Sequence, residues 1–462
     1  MNQAVRWIGE DHYNFPEARP ARRLSFLRLL LRYPIFLLAF GPPLFRSGAI
    51  DATKGKIDLW SVLQVGLLSS IALRAIYRLA APESILIPKQ IRSVLKFAFF
   101  LGVLFLTSVT YSPSRMVSMA YAVLYFLTFA CVVEFIVDVY RNPLNWMQCL
   151  LHLRFIALLL LALDFIVLPF NPNLILGFEE GAGLRFGGGG VGPVALICPM
   201  IAIISAFTFL HSLEPRRRSA FLFLVGLAGS LSLQSRGCSL ALLLSLSILA
   251  FGWAKTGKRS AYILISGFMA FVLFFGVVMG EMGGGRIWTI VNRGESSQRI
   301  ATASGRFDVW QFVIHYCLRH PQGMGYVAGF RMIFKDYHAV GMNLDPSHIG
   351  NAHNCYFQVL SDAGWLALAV YLTMLVKIVG MAWRFANKRA FPSGMPDSQC
   401  RESTECLMFM LVYLLAVGMD TSGPSVPLSA PFYWQNIIVA LILGISANMI
   451  LASRTRVTNS AN

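Results

Sequence analysis

Charge is what this sequence has least of. Only 13% of its 462 residues are Asp, Glu, Lys or Arg, against 56% hydrophobic, and mean hydropathy is +0.61. A soluble domain carries about a quarter charged residues. The polar side chains here are too few to cover the apolar surface in water, so the solvent is lipid and the unit of organisation is a span of about 20 residues. Acidic residues are scarcer than basic ones, 22 against 39, for a formal net charge of +17. No basic run is interleaved with aromatics as a nucleic-acid groove requires, so no nucleic-acid partner is expected. Collection of Lys and Arg in cytoplasmic loops accounts for the excess.

Other absences narrow the chemistry. The eight cysteines form no CxxC pair and no metal-ligand spacing. Cys131, Cys149, Cys198 and Cys406 lie in or beside apolar runs, where cysteine acts as a small hydrophobe. Cys317 and Cys355 fall in an outer region, as free thiols or as a bridge. The tract Gly187 to Gly190 lacks the Gly-Lys-Ser/Thr of a P-loop. His338, His348 and His353 fit no ligand spacing, so no metal is expected. There is no internal repeat to support an inverted-repeat transporter. Arg19, Arg22 and Arg23 precede the first apolar run and no small-residue cleavage site follows it, so that run is expected to be a retained span.

What is present is a series of long apolar runs: 24–43, 58–79, 93–111, 115–138, 150–170, 190–211, 219–235, 238–254, 260–280, 355–383, 404–420 and 432–452. The expectation is an all-α polytopic membrane protein with about twelve transmembrane helices. The tenth run exceeds a span, so its first turns are expected outside the bilayer. With twelve spans, Arg78, Lys89, Arg92, Arg216-Arg217-Arg218, Lys258, Arg259, Lys388, Arg389 and both basic termini fall on one side. That side is expected to be cytoplasmic. The chain then divides into residues 1–280 with about nine spans, a periplasmic loop over 281–354 containing short amphipathic helices, and 355–462 with about three spans.

Ionisable residues at the membrane edge are functional candidates. Arg28 and Arg32 can snorkel to the surface. Glu134 and Asp138 are expected to pair with Arg141 or Arg154. Asp164 reads as the partner of a nearby arginine. Arg236, in the external turn Ser235-Arg236-Gly237, is either an interfacial charge or a ligand-binding one. In the large loop, Ser304-Gly305-Arg306 opens a segment in which Phe307, Trp310, Val313, Ile314 and Cys317 follow helical spacing up to Pro321. Ser304 suits the N-cap and Asp308 the first turn. Arg306 then stands at a helix N-terminus, which favours anions, and a guanidinium grips phosphate bidentately. The alternative is a surface helix lying on the membrane. A glycine-rich turn, Pro321-Gln322-Gly323-Met324-Gly325-Tyr326, follows. His353-Asn354 stands where the chain re-enters the bilayer. His353 reads either as a base for a sugar hydroxyl or as a capping, hydrogen-bonded residue.

The order Ser304-Gly305-Arg306, Trp310, Pro321, Gly323, Gly325, His353-Asn354 and Gly364, with Ser235-Arg236-Gly237 upstream, resembles the O-antigen ligase and O-antigen polymerase superfamily. Arg185-Phe186-Gly187 is similar to a further segment of that family, although the usual His-Pro-Asn is replaced by Gly192-Pro193-Val194. The match covers residues 185 to 385. The resemblance implies a GT-C-like membrane glycosyltransferase of the bacterial inner membrane, acting at the periplasmic face without nucleotide or metal cofactor. Its donor would be an undecaprenyl-diphosphate-linked glycan and its acceptor a second glycan. A chain-length regulator or flippase would be its protein partner. Carried over, Arg236 and Arg306 would hold the diphosphate and His353 would orient or deprotonate the acceptor hydroxyl. Arg299, Asn354 and Arg185 complete the expected substrate-binding set. Two guanidiniums can stand in for a metal at a departing diphosphate, and one base suffices for an inverting attack. A polymerase of O-antigen or exopolysaccharide repeat units is the first expectation and a ligase onto lipid A core the second. A transporter or flippase of lipid-linked sugars is the alternative of another class.

Overall fold

The computed structural model describes residues 59–80, 87–141, 145–170, 176–179, 183–186, 192–232, 236–254, 306–336, 352, 354–386, 397–420 and 434–459. The expected first and ninth spans lie outside them. Among the described residues seven helices precede the large loop: α1 (Leu59–Ala80), α2 (Lys89–Thr107), α3 (Arg115–Arg141), α4 (Asn145–Val167), α5 (Gly192–Leu210), α6 (Arg216–Ser232) and α7 (Arg236–Ala254). Two short ones follow, α8 (Arg306–Arg319) and α9 (Ala328–Asp336), and then α10 (Cys355–Ala386), α11 (Asp397–Asp420) and α12 (Trp434–Asn459). Each expected span within the described residues is a helix. Among the described residues five stretches are long and apolar enough to cross a membrane: Lys89–Thr110, Arg115–Val137, Trp146–Leu163, Cys355–Phe385 and Arg401–Met419. Four shorter apolar stretches lie in α1, α5, α7 and α12. The chain is therefore a multi-pass, predominantly helical membrane protein.

One small strand pair accompanies the helices among the described residues. Strands β1 (Leu176–Glu179) and β2 (Gly183–Phe186) form an antiparallel hairpin, with Gly177 opposite Arg185. Four-residue strands flanked by glycines carry too little apolar alternation to be read in advance.

Two helices are buried throughout their apolar stretches. Cys198–Phe207 of α5 and Asn436–Ile450 of α12 have no exposed position. A helix that is apolar all round belongs inside a bundle rather than at its lipid surface. Around α12 pack α3, α4 and α11, while α5 is held by α4, α6 and α7. Small residues permit the closest approaches. A Cβ on Gly226 of α6 would sit 2.9 Å from Ile201 Cβ of α5.

Ion pairs, each with at least one buried or partly buried member, gather at one end of this bundle. Arg154 of α4, 3% exposed, meets Glu214 at 2.5 Å. Its guanidinium also donates to Thr208 Oγ1 at 3.2 Å. Glu134 of α3 pairs with Arg74 of α1 at 2.6 Å. Glu134 takes Arg74 of α1, and Arg154 takes Glu214 rather than the expected Glu134; the side chains of Asp138 and Arg141 lie outside the described residues. His211 Nε2 meets Glu405 of α11 at 2.9 Å at the same end. The opposite end, called the outer end below, carries α8 and α9.

Candidate functional site

The outer end is built around a break in α10. Ala363 (φ −144°, ψ 18°) and Gly364 (φ 78°, ψ −170°) interrupt the helix. Residues 365–386 beyond the break are long enough for a bilayer at about 1.5 Å per residue, and the first two turns form a separate piece ahead of it. The glycine-rich turn fills the break. Met324 N–H donates to Ser361 O (2.6 Å), Gly325 N–H to Asp362 O (3.2 Å) and Trp365 N–H to Pro321 O (3.1 Å). The carbonyls and amide freed by the kink are thereby paired, as buried backbone groups must be. Tyr326 then reaches the loop between α2 and α3. Its N–H donates to Ser108 Oγ (2.9 Å), its carbonyl accepts from Ser118 Oγ (2.7 Å), and its ring stacks on Phe105 at 4.1 Å.

Helix α8 begins at Arg306, with Asp308 in its first turn. Ser304 lies outside the described residues, so the expected N-cap is not observed. The buried face of α8 is Val309, Phe312, Val313 and Cys317. Of the expected stripe, Phe307 is 47% exposed and Trp310 and Ile314 are half-buried. The helix is rotated because Phe312 packs edge-on against Phe330 and Phe334 of α9, while Trp310 stacks on Phe357 of α10 at 5.2 Å. These contacts form a second apolar core outside the membrane bundle, with Met324, Ala352 and Leu360. Helix α8 is therefore packed on protein along that face. Cys317 and Cys355 are free, buried thiols. Burial first, and Asp362 second, push the Cys317 thiol up to about 12.

The chain on either side of position 353 is held. Ala352 O accepts from Trp310 Nε1 (2.9 Å) and Ala352 N–H donates to Gln358 Oε1 (3.0 Å). Asn354, 4% exposed, caps α10: its Oδ1 accepts from Tyr356 N–H (2.9 Å) and Phe357 N–H (3.2 Å). Its Nδ2 donates to Met419 O near the end of α11 (3.2 Å). His353 itself, like Arg299, lies outside the described residues.

Arg236 is the first residue of α7, and only its backbone is described. Helices α7 and α11 run antiparallel: Cys238 is an electrostatic neighbour of Tyr413, and Ser245 Oγ donates to Phe409 O at 3.4 Å. The Arg236 end of α7 is therefore level with the Met419 end of α11, which Asn354 contacts. Arg185 stands in β2, again with its backbone alone described. The structure thus brings Arg306, Asn354 and the start of α7 to one end of the molecule. Sequence reading missed Gln358 and Asp362. They stand one turn apart on α10, polar residues in an apolar stretch, and that placement is the signal that could have found them.

No curated protein matches the chain. A family model described as O-antigen ligase matches residues 220–372, about a third of the chain, spanning Arg236, Arg306, the glycine turn, His353-Asn354 and Gly364. Over that segment the chain is similar to the O-antigen ligase family.

Proposed function

We propose that the chain is a metal-independent, inverting glycosyltransferase. It moves an undecaprenyl-diphosphate-linked oligosaccharide onto an acceptor sugar at the periplasmic face of a twelve-span inner-membrane fold with both termini in the cytoplasm. One observation carries this reading. The Trp310–Ala352 hydrogen bond (2.9 Å) ties α8, one turn beyond Arg306, to the residue before His353. The helix that begins at Arg306 and the segment that leads into α10, from which the motif's arginine and histidine come, are thereby joined at one end of the bundle.

In this mechanism the acceptor oxygen attacks the anomeric carbon from the face opposite the diphosphate. The bond to the diphosphate oxygen breaks, and undecaprenyl diphosphate departs with the electron pair. Arg306 and Arg236 stabilise the charge that develops on the leaving group, and His353 takes the hydroxyl proton. Arg299 and Arg185 assist in binding the glycan, and Asn354 acts from its cap by holding the chain beside His353. The product we assign is a polymer of repeat units. Transfer to lipid A core is the second reading, favoured by the description of the matching family. Clustering of the candidates at one end of the bundle, rather than along the spans, favours an enzyme over a flippase.

Reconstitution with an undecaprenyl-diphosphate-linked repeat unit tests the assignment. Chain extension without added core supports a polymerase, and product that appears only with core supports a ligase. Arg306→Ala should lower turnover by about 10²- to 10³-fold, the effect of losing one charge-stabilising donor. His353→Ala should abolish turnover, and both variants should insert normally. Near-normal product from both would remove the proposed site.

A further inference from the structure

We infer that Gln358 is a positioning residue for His353, oriented by the buried carboxylate of Asp362; the inference rests on the transferase reading above. Asp362 is 1% exposed and Gln358 6%. Asp362 Oδ1 accepts from Gln358 Nε2 (2.9 Å) and from Val327 N–H (3.1 Å). Gln358 Oε1 accepts from Ala352 N–H (3.0 Å), and Ala352 O accepts from Trp310 Nε1 (2.9 Å). A continuous relay therefore runs from the glycine-rich turn, through α10, to the residue before His353 and on to the helix that begins at Arg306.

The polarity of the relay is forced. Ala352 N–H can only donate, so Gln358 must turn its carbonyl oxygen toward it. The amide nitrogen then faces Asp362, whose oxygen must accept. Both backbone groups of Ala352 are thereby fixed, and Asn354 is fixed on the other side by its cap. Position 353 is bracketed by two anchored neighbours, an arrangement well beyond what ordinary helix capping needs. Two buried polar side chains in an apolar stretch are costly unless fully paired. Here the pairing orients the segment that carries the proposed base.

Two variants of the full chain in proteoliposomes test this, with an undecaprenyl-diphosphate-linked repeat unit as substrate. Gln358→Leu severs both links at similar volume. It should lower kcat by about 10- to 100-fold, as a misplacement near 1 Å does, with KM for the lipid donor changed less than about twofold. Gln358→Glu keeps the shape but sets a second carboxylate against Asp362, and the pair then holds together only when it shares a proton. Tyr111 and Cys317 also face Asp362, and both are pushed up to about 12, so neither changes charge between pH 6 and 8. The rate of Gln358→Glu relative to the parent should therefore rise as pH falls through that range. A base with an imidazole's ordinary pKa makes the parent's own rate fall in the same direction. Wild-type kcat in Gln358→Leu, a loss expressed only in KM, or a flat Gln358→Glu ratio would each overturn the inference. If Gln358→Leu does not fold, the Gln358→Glu ratio decides alone. An active His353→Ala would instead remove the transferase reading. An inactive His353→Ala beside normal Gln358 variants removes only this inference.

Discussion

The outer end contains groups whose chemistry is set first by burial and then by the nearby Asp362. Cys317 is fully buried between α8 and α10, and its Sγ contacts Leu360 O at 3.5 Å. A thiol held up to about 12, against an ordinary 9.0, is un-ionised at neutral pH, and only the thiolate reacts. The folded protein should leave Cys317 unlabelled by a small maleimide at pH 8, whereas the denatured chain should label within minutes. Mass spectrometry of the peptide separates these outcomes, and rapid labelling of the folded state would show that α8 does not stay packed. The same shift sets a pH dependence. The unfolded chain loses this proton near pH 9 and the folded chain near 12, so the stabilisation is complete below about pH 9 and is lost as pH rises toward 12. Tyr111, raised to about 12 by burial and then by Asp362, acts in the same direction from about pH 10. Thermal unfolding of the detergent-solubilised protein should show Tm falling between pH 9 and 12.

The element that organises the outer end is the broken helix α10. Gly364 occupies φ 78°, ψ −170°, a region essentially restricted to glycine. A Cβ there would collide with the Pro321 carbonyl oxygen, and one on Gly325 (φ 108°) would sit 2.5 Å from Ser112 Cβ. Gly364→Ala should therefore destabilise by at least about 3 kcal/mol, strain and overpacking together. The effect should be read as loss of monodisperse protein or a Tm drop of several degrees, while Gly380→Ala, with open space around its Cβ position, should be tolerated. The spans were legible because twenty-residue apolar runs have few alternative structures. The glycine motif was legible as order and spacing, but its reason was not, since docking into a helix break is a contact between segments about forty residues apart. The phase of α8 was misread for a related reason. Phe307, Trp310 and Ile314 are as apolar as Val309 and Phe312, and only the positions of Phe330 and Phe334 on α9 decide which stripe is buried.

At the scale of the whole molecule, the ion pairs described above gather at one end of the bundle. Basic residues expected on one side bring Arg154, Arg218 and Arg401 together with Glu214 and Glu405 at one end. The candidate site and the loop between α2 and α3 occupy the other. The partners themselves were not readable, because Arg74 and Glu134 become neighbours only when α1 packs on α3. Arg154→Met should cost less than the about 3–5 kcal/mol of a fully stranded buried charge, because Arg218 stays 3.7 Å from the partly buried Glu214, and the double change Arg154→Met with Glu214→Leu should recover most of the loss. A thermal-stability cycle with recovery below a quarter would show that Arg154 matters for more than its pair. Sidedness is tested separately. Gln311 on α8 and Arg217 at the start of α6 are both exposed, so access to either depends on the membrane alone. In a chain with Cys400 replaced by Ser, Gln311→Cys should react with a membrane-impermeant maleimide in intact spheroplasts. Arg217→Cys should react only after permeabilisation, because three consecutive arginines favour the cytoplasmic side for that turn. Labelling of both from outside would break the twelve-span count, and reversal of the pair would place the proposed site in the cytoplasm, where its lipid-linked donor would have to be presented before translocation rather than after it.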